Sequence, residues 1–170
     1  GTSGKSTTSA MLYQILLDAN LEPSIISGAG LTSIIKQGKI GNAAVGKGDW
    51  LIIEADESDG SVVQYEPEIG LLLNIDKDHQ EIDELIELFT VFKNNSKSLF
   101  VVNQSNTLAK TLSANPKNDF GFNDENAGFS AENFHQNGFH LSFEVLDQKF
   151  EMNSLGQHSV ENATAAIAVA

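Results

Sequence analysis

The chain has 170 residues, no cysteine and a formal net charge of −13. That length can enclose one substantial core, and the missing thiols exclude disulfides, thiolate metal sites and a cysteine nucleophile. The acidity excludes a sequence-independent grip on nucleic acid, which needs clustered basic residues. No apolar run approaches the roughly 18 residues of a membrane span. We therefore expect a cytoplasmic domain with neither nucleic acid nor membrane as partner. All ten basic residues are lysine, so a polyphosphate would have to be met by backbone amides, lysine and metal rather than by the bidentate fork of arginine.

The chain opens on a glycine loop, Gly1 to Thr7, and the apolar residues Ala10, Met11, Leu12, Ile15, Leu16 and Ala19 then recur at helical spacing until Asn20 and Pro23. A helix over Ser6 to Ala19 is expected. Four short apolar runs, Ser24 to Ser27, Trp50 to Glu54, Gly70 to Ile75 and Leu99 to Val102, have the length and flanking turn residues of buried strands. Between the third and fourth, Ile82, Leu85, Ile86, Leu88, Phe89 and Phe92 oppose Glu81, Asp83, Glu84 and Glu87, which makes an amphipathic helix. This alternation predicts an α/β fold of the phosphate-loop NTPase kind, a mostly parallel sheet covered by helices on both faces. From about residue 118 to 153 aromatics are spaced among turn residues, and Asn137-Gly138 sets up a hairpin running into Phe139, Leu141, Phe143 and Val145. A small antiparallel appendage is expected there, followed by an alanine-rich helix over Ser159 to Ala170. The opening glycine without a preceding strand, and the final helix without a cap, lead us to expect a domain cut from a longer polypeptide.

Four segments carry chemistry. In Gly1-Thr2-Ser3-Gly4-Lys5-Ser6-Thr7, glycines let backbone amides turn toward phosphate oxygens, the helix start adds positive potential, Lys5 reaches the terminal phosphates and the Ser6 hydroxyl can ligate magnesium. The strand at Trp50 runs into Glu54, Asp56, Glu57 and Asp59, and acids at the carboxyl end of a parallel strand reach the ligand crevice. The segment Asn74 to His79 ends the third strand at the same rim and makes His79 a candidate metal ligand or substrate contact. Gly156 to Ala163 leads into the last helix with polar side chains able to read a nucleobase edge. Among weaker candidates, Gly28 and Gly30 could line the substrate side, while Lys93, His135 and His140 read as surface residues.

Together these segments resemble the Mur ligase family, the ATP-dependent enzymes that add amino acids to the peptidoglycan precursor. The family's GTxGKTT loop appears as GTSGKSTT, its NIxxDH string at Asn74 to His79, and its GxHNxxNAxAA string at Gly156 to Ala166 with Ser159 in place of asparagine. The string EADESD, complete at Glu54 to Asp59, is most like that of members joining L-alanine to UDP-N-acetylmuramate, although Gln80-Glu81 departs from their pattern. The resemblance implies the central ATP-binding domain over residues 1–170, with the N-terminal UDP-binding and C-terminal domains absent. It implies ATP and Mg2+ as cofactors, phosphate contacts from Thr2, Ser3, Gly4, Lys5, Ser6 and Thr7, and catalytic roles for Lys5, Glu54 and His79. It places metal on Ser6, Glu54 and His79, and adenine on Asn74, His158 and Asn162. UDP-N-acetylmuramate and an amino acid would be held through the absent domains. Two further readings stay open: a ligase that recycles muropeptide or uses another acceptor, and a nucleotide-gated binding module.

Overall fold

Gly4 adopts a left-handed conformation (φ 83) that turns the chain into the first helix, a conformation only glycine takes without steric cost. The computed structural model describes residues 3–35, 41–76 and 81–170. Helix α1 (Lys5–Asp18) buries Thr8, Tyr13 and Leu16. Strand β1 (Ser24–Ile26) follows, then the short α2 (Thr32–Ile35), β2 (Ala43–Ala44) and β3 (Leu51–Ile53). Strand β1 pairs in parallel with β3, Ile25 opposite Ile52, and antiparallel with β2. Tyr13 of α1 packs on Ile25, with Ile52 against the same cluster.

Strand β4 (Ile69–Leu72) and β5 (Leu99–Val102) form a second parallel pair, with α3 (Ile82–Asn95) between them in sequence. Side chains alternate across this pair as the pleat requires. Leu72, Phe100 and Val102 face Leu85, Phe89 and Phe92 of α3. Leu71, Leu73 and Val101 face the other way, onto Ala165 and Ala168 of the last helix, α4 (Gln157–Val169). The expected cover on both faces therefore holds for β4 and β5. It does not hold for β1 and β3, whose outward residues Ile26, Leu51 and Ile53 are 52%, 53% and 39% exposed. Strands β3 and β4 are not hydrogen-bonded to each other, and a cavity of about 660 Å3 is bordered by Leu51, Ile53, Ile69 and Leu71 from the two strands and by Leu12 and Leu16 from α1.

The appendage is a four-stranded sheet of β6 (Phe120–Phe122), β7 (Phe129–Asn137), β8 (His140–Val145) and β9 (Gln148–Asn153). Its β7-β8-β9 meander is antiparallel, whereas β6 joins β7 in parallel. Leu141, Phe143 and Val145 of β8 pack onto Val160 of α4, and Asp119 ties the appendage to β5 by accepting from the Val102 amide at 2.9 Å. The hairpin differs from expectation by one residue. Asn137 pairs with His140, so Gly138 and Phe139 form the loop, and Phe139 is 63% exposed rather than part of the inward set. In this register Gln136 stands opposite Leu141 and His135 opposite Ser142, with an irregularity between Glu132 and His135. Lys93, expected in solvent, is half-buried, with its amine 3.5 Å from the Ser113 carbonyl.

Candidate functional site

The parallel strands deliver their following residues to one rim, where the glycine loop begins α1. A Cβ on Gly4 would lie 2.4 Å from Oδ1 of Asn162 on α4, so this position needs glycine both for its left-handed φ and for close approach. Thr8, one turn into α1, directs its hydroxyl at the same Asn162 oxygen at 3.4 Å. The loop thus rests against α4 on one side.

On the other side stands Glu54, whose amide continues the β1–β3 ladder to the Ile26 carbonyl at 2.9 Å. Its Oε1 accepts from the Ser6 hydroxyl at 2.8 Å. Its Oε2 accepts from the Ser27 hydroxyl at 2.8 Å and the Gly28 amide at 2.7 Å. Partial burial pushes the Glu54 carboxyl up, but the hydrogen bonds from Ser6, Gly28 and Ser27, with the charge of Lys5, outweigh it and hold the group below the usual 4.5. The ionised carboxylate and the Ser6 hydroxyl open on a polar pocket of about 230 Å3 lined by Ser3, Gly4, Lys5, Ser6, Thr7 and Glu54. An anionic and a neutral oxygen side by side form a donor pair suited to a hard divalent cation such as magnesium. Among the described residues no group of three or more histidines, cysteines or carboxylates gathers as a metal cage.

Lys5 reaches across to Glu57, its Nζ 3.1 Å and 3.3 Å from the two carboxylate oxygens. Glu57 is only 7% exposed, so the loop lysine is met by an enclosed carboxylate. Asp56 and Asp59 do something different: each accepts the amide two residues on, Ser58 at 3.0 Å and Ser61 at 2.9 Å, and the Asp56 carboxyl is lowered chiefly by the Ser58 amide, that of Asp59 by the Ser61 hydroxyl and then its amide. Four acids that look alike in sequence thus divide into two that address the phosphate loop and two that close their own turns.

Asn74, just past β4, places its side-chain amide on Ser3 of the loop. Asn162 touches Gly4 and Thr8. His158 is 95% exposed in its side chain, with Nδ1 3.7 Å from Glu161. Ser159, where asparagine was expected, is spent locally, donating to the Leu155 carbonyl at 2.7 Å. Thr2 and His79 lie outside the described residues. In the sequence Glu57 stands undistinguished among four acids and Ser27 only ends an apolar run. A signal for Glu57 was present, because Asp56-x-Ser58 and Asp59-x-Ser61 have the spacing of Asx turns and leave the two glutamates for the rim. Gly28, expected to line the substrate side, donates its amide to Glu54.

The sequence profile of the Mur ligase middle domain matches residues 1–170, the whole chain. The chain belongs to the Mur ligase family. It is 33% identical over 183 residues to the UDP-N-acetylmuramate–L-alanine ligase of Acaryochloris marina, covering 99% of this chain and 37% of that one. It is 36% identical over 186 residues to the enzyme of the same name from Baumannia cicadellinicola, covering 100% and 36%. The chain thus spans little more than a third of these relatives. In fold it is similar to the UDP-N-acetylmuramate:L-alanyl-γ-D-glutamyl-meso-diaminopimelate ligase of Neisseria meningitides, with a TM-score of 0.78 at 21% identity over 99% of this chain and 58% of that one. Parallel sheets flanked by helices, with the small β appendage, are the Mur ligase middle-domain architecture. Among the described residues no helix is long and apolar enough to cross a membrane.

Proposed function

We propose that this domain supplies the magnesium-ATP site of a cytoplasmic ligase that joins L-alanine to UDP-N-acetylmuramate in peptidoglycan precursor synthesis. The observation that carries the reading is the meeting of the Ser6 hydroxyl and the Glu54 carboxylate at 2.8 Å on the pocket that Lys5 borders. Ser6 and Glu54, with His79, would hold magnesium, which supplies charge neutralisation for the transferred phosphoryl group. Ser3, Gly4, Lys5, Ser6 and Thr7, which line the polar pocket, would meet the terminal phosphates with amides and one cation, as would Thr2. Lys5 must then share between Glu57 and phosphate an ammonium that now bonds both oxygens of Glu57. Asn162 and His158 sit at the start of α4, where a base could be read.

In the proposed reaction the muramate carboxylate oxygen attacks the γ-phosphorus and the bond to ADP breaks. The resulting acyl phosphate is attacked by the amine of alanine, so that a carbon–nitrogen bond forms, phosphate departs and the amine loses a proton. Preorganised donors around the pocket stabilise the charge on the transferred group without reorganising water. The sugar nucleotide and amino acid would be held by parts of the full-length protein beyond this domain.

The test is an amino-acid panel on the full-length protein, measuring phosphate release from ATP with UDP-N-acetylmuramate and with its tripeptide-bearing analogue. Release with UDP-N-acetylmuramate and L-alanine is expected. Release that depends instead on a peptide acceptor would turn the reading to a recycling ligase, and ATP binding without release under any combination would turn it to a nucleotide-gated module.

A further inference from the structure

We propose that Asn74 is a positioning residue that braces the phosphate loop, and that it does not read the nucleobase. The proposal rests on the ATP-site reading above and deepens it. A primary amide has one oxygen acceptor and two N–H donors. Here Oδ1 accepts the Ser3 amide at 3.0 Å, while Nδ2 donates to the Ser3 carbonyl at 3.1 Å and to the Ser3 hydroxyl at 3.1 Å. Both donors are engaged, and the backbone donor and acceptor of Ser3 fix which way round the amide lies. Recognition of adenine by asparagine needs a free donor beside a free acceptor. None of the donor capacity is left for it.

The brace has a firm base. Asn74 stands between Leu73 and Ile75, which are 5% and 1% exposed, and the Ile75 amide donates to Oδ1 of Asn106 at 3.3 Å. Its far end grips a residue that has no helical partners of its own, since Ser3 precedes α1, and that lines the small polar pocket. Across the loop Asn162 abuts Gly4. Asn74 thus holds Ser3 by hydrogen bonds while Asn162 packs against the next loop residue and accepts from Thr8, so the amides that would meet phosphate are ordered before it arrives. Ordering done in advance is not charged against binding.

The experiment uses the full-length protein and three probes with magnesium: ATP, GTP and inorganic tripolyphosphate. Asn74→Ala should weaken all three by a similar factor, roughly tenfold, the order expected for one or two net hydrogen bonds, and leave the ATP-to-GTP ratio unchanged. Hydrogen exchange should quicken at the loop amides and not in β7 to β9. Should the alanine variant fail to fold, Asn74→Leu carries the test, because it is close in size and uncharged but loses both donors and the acceptor, and should weaken the three probes together. A collapse of ATP-to-GTP discrimination with tripolyphosphate unaffected would assign Asn74 to the base and overturn the brace. Unchanged affinities would overturn it too. Wild-type protein that binds none of the probes would overturn the ATP-site reading instead, and loop amide exchange would still decide the brace.

Discussion

Strands β1 and β3 are three residues long and run into polar side chains at the rim, whereas β7, β8 and β9 run for nine, six and six residues and form an antiparallel meander over α4, its β7–β8 ladder shifted once between Glu132 and His135. In the first region an apolar cluster of Tyr13, Ile25 and Ile52 lies beneath the rim, but at the rim itself the long-range connections are polar: Ser6 to Glu54, Lys5 to Glu57 and Ser3 to Asn74 each join residues about 50 to 70 apart, while Ile26, Leu51 and Ile53 remain exposed. In the second they are apolar, with Leu141, Phe143 and Val145 at 2% exposure or less. The appendage is held by burial, which is tolerant of which apolar residue supplies it. The rim is held by directed bonds, each of which names its partner, and it is the region with chemistry to perform.

The comparison can be broken most forcefully from the appendage. Phe143 is 2% exposed and stacks on Phe150 with ring centroids 5.6 Å apart, so Phe143→Ala should cost about 3–5 kcal/mol in denaturant unfolding. ATP affinity of the folded protein should change little, because Phe143 belongs to the cluster around Val160 rather than to the residues that line the polar pocket. A large loss of affinity without loss of stability would mean that the two regions are coupled.

A smaller effect should come from the rim. Glu54 has a carboxyl held below 4.5 in the folded protein, so its ionised form stabilises the fold above that value. The contribution is lost as pH falls through the lowered pKa. The stability difference between wild type and Glu54→Gln should therefore shrink as pH drops from 6 into the acid range, measured by denaturant midpoints at each pH. A constant difference would remove the electrostatic account of the Glu54 cluster.

Much of this division was legible in the residues. The helical period from Ser6, the four apolar runs and the amphipathic segment at Ile82 all became elements near their expected places, because each stretch agrees in pattern, length and punctuation. The β8 alternation was legible as well, but the turn preceding it was not: Asn137-Gly138 is a good loop pair locally, whereas the pairing of β7, with its irregularity between Glu132 and His135, depends on a strand partner that the turn pair itself does not specify. At the rim, residue type revealed an acid cluster beside a phosphate loop but not which acid meets which partner. That is settled by the path of the irregular stretch after β3, where bonds such as Gly60 to the Glu57 carbonyl at 3.1 Å turn the chain. Asn74 was readable as a rim residue, while its grip on Ser3 depends on pairing across 71 positions, which no local pattern encodes.

The central claim is that Lys5, Ser6 and Glu54 form one magnesium-ATP site, and calorimetric titration of ATP into the full-length protein, with and without magnesium, tests it most directly. Wild type should bind more tightly with magnesium. Lys5→Ala should lose at least about tenfold in affinity, equal to 1.4 kcal/mol, and Glu54→Ala should lose most of the magnesium enhancement. Affinities in both variants equal to wild type, with the magnesium effect intact, would contradict the account.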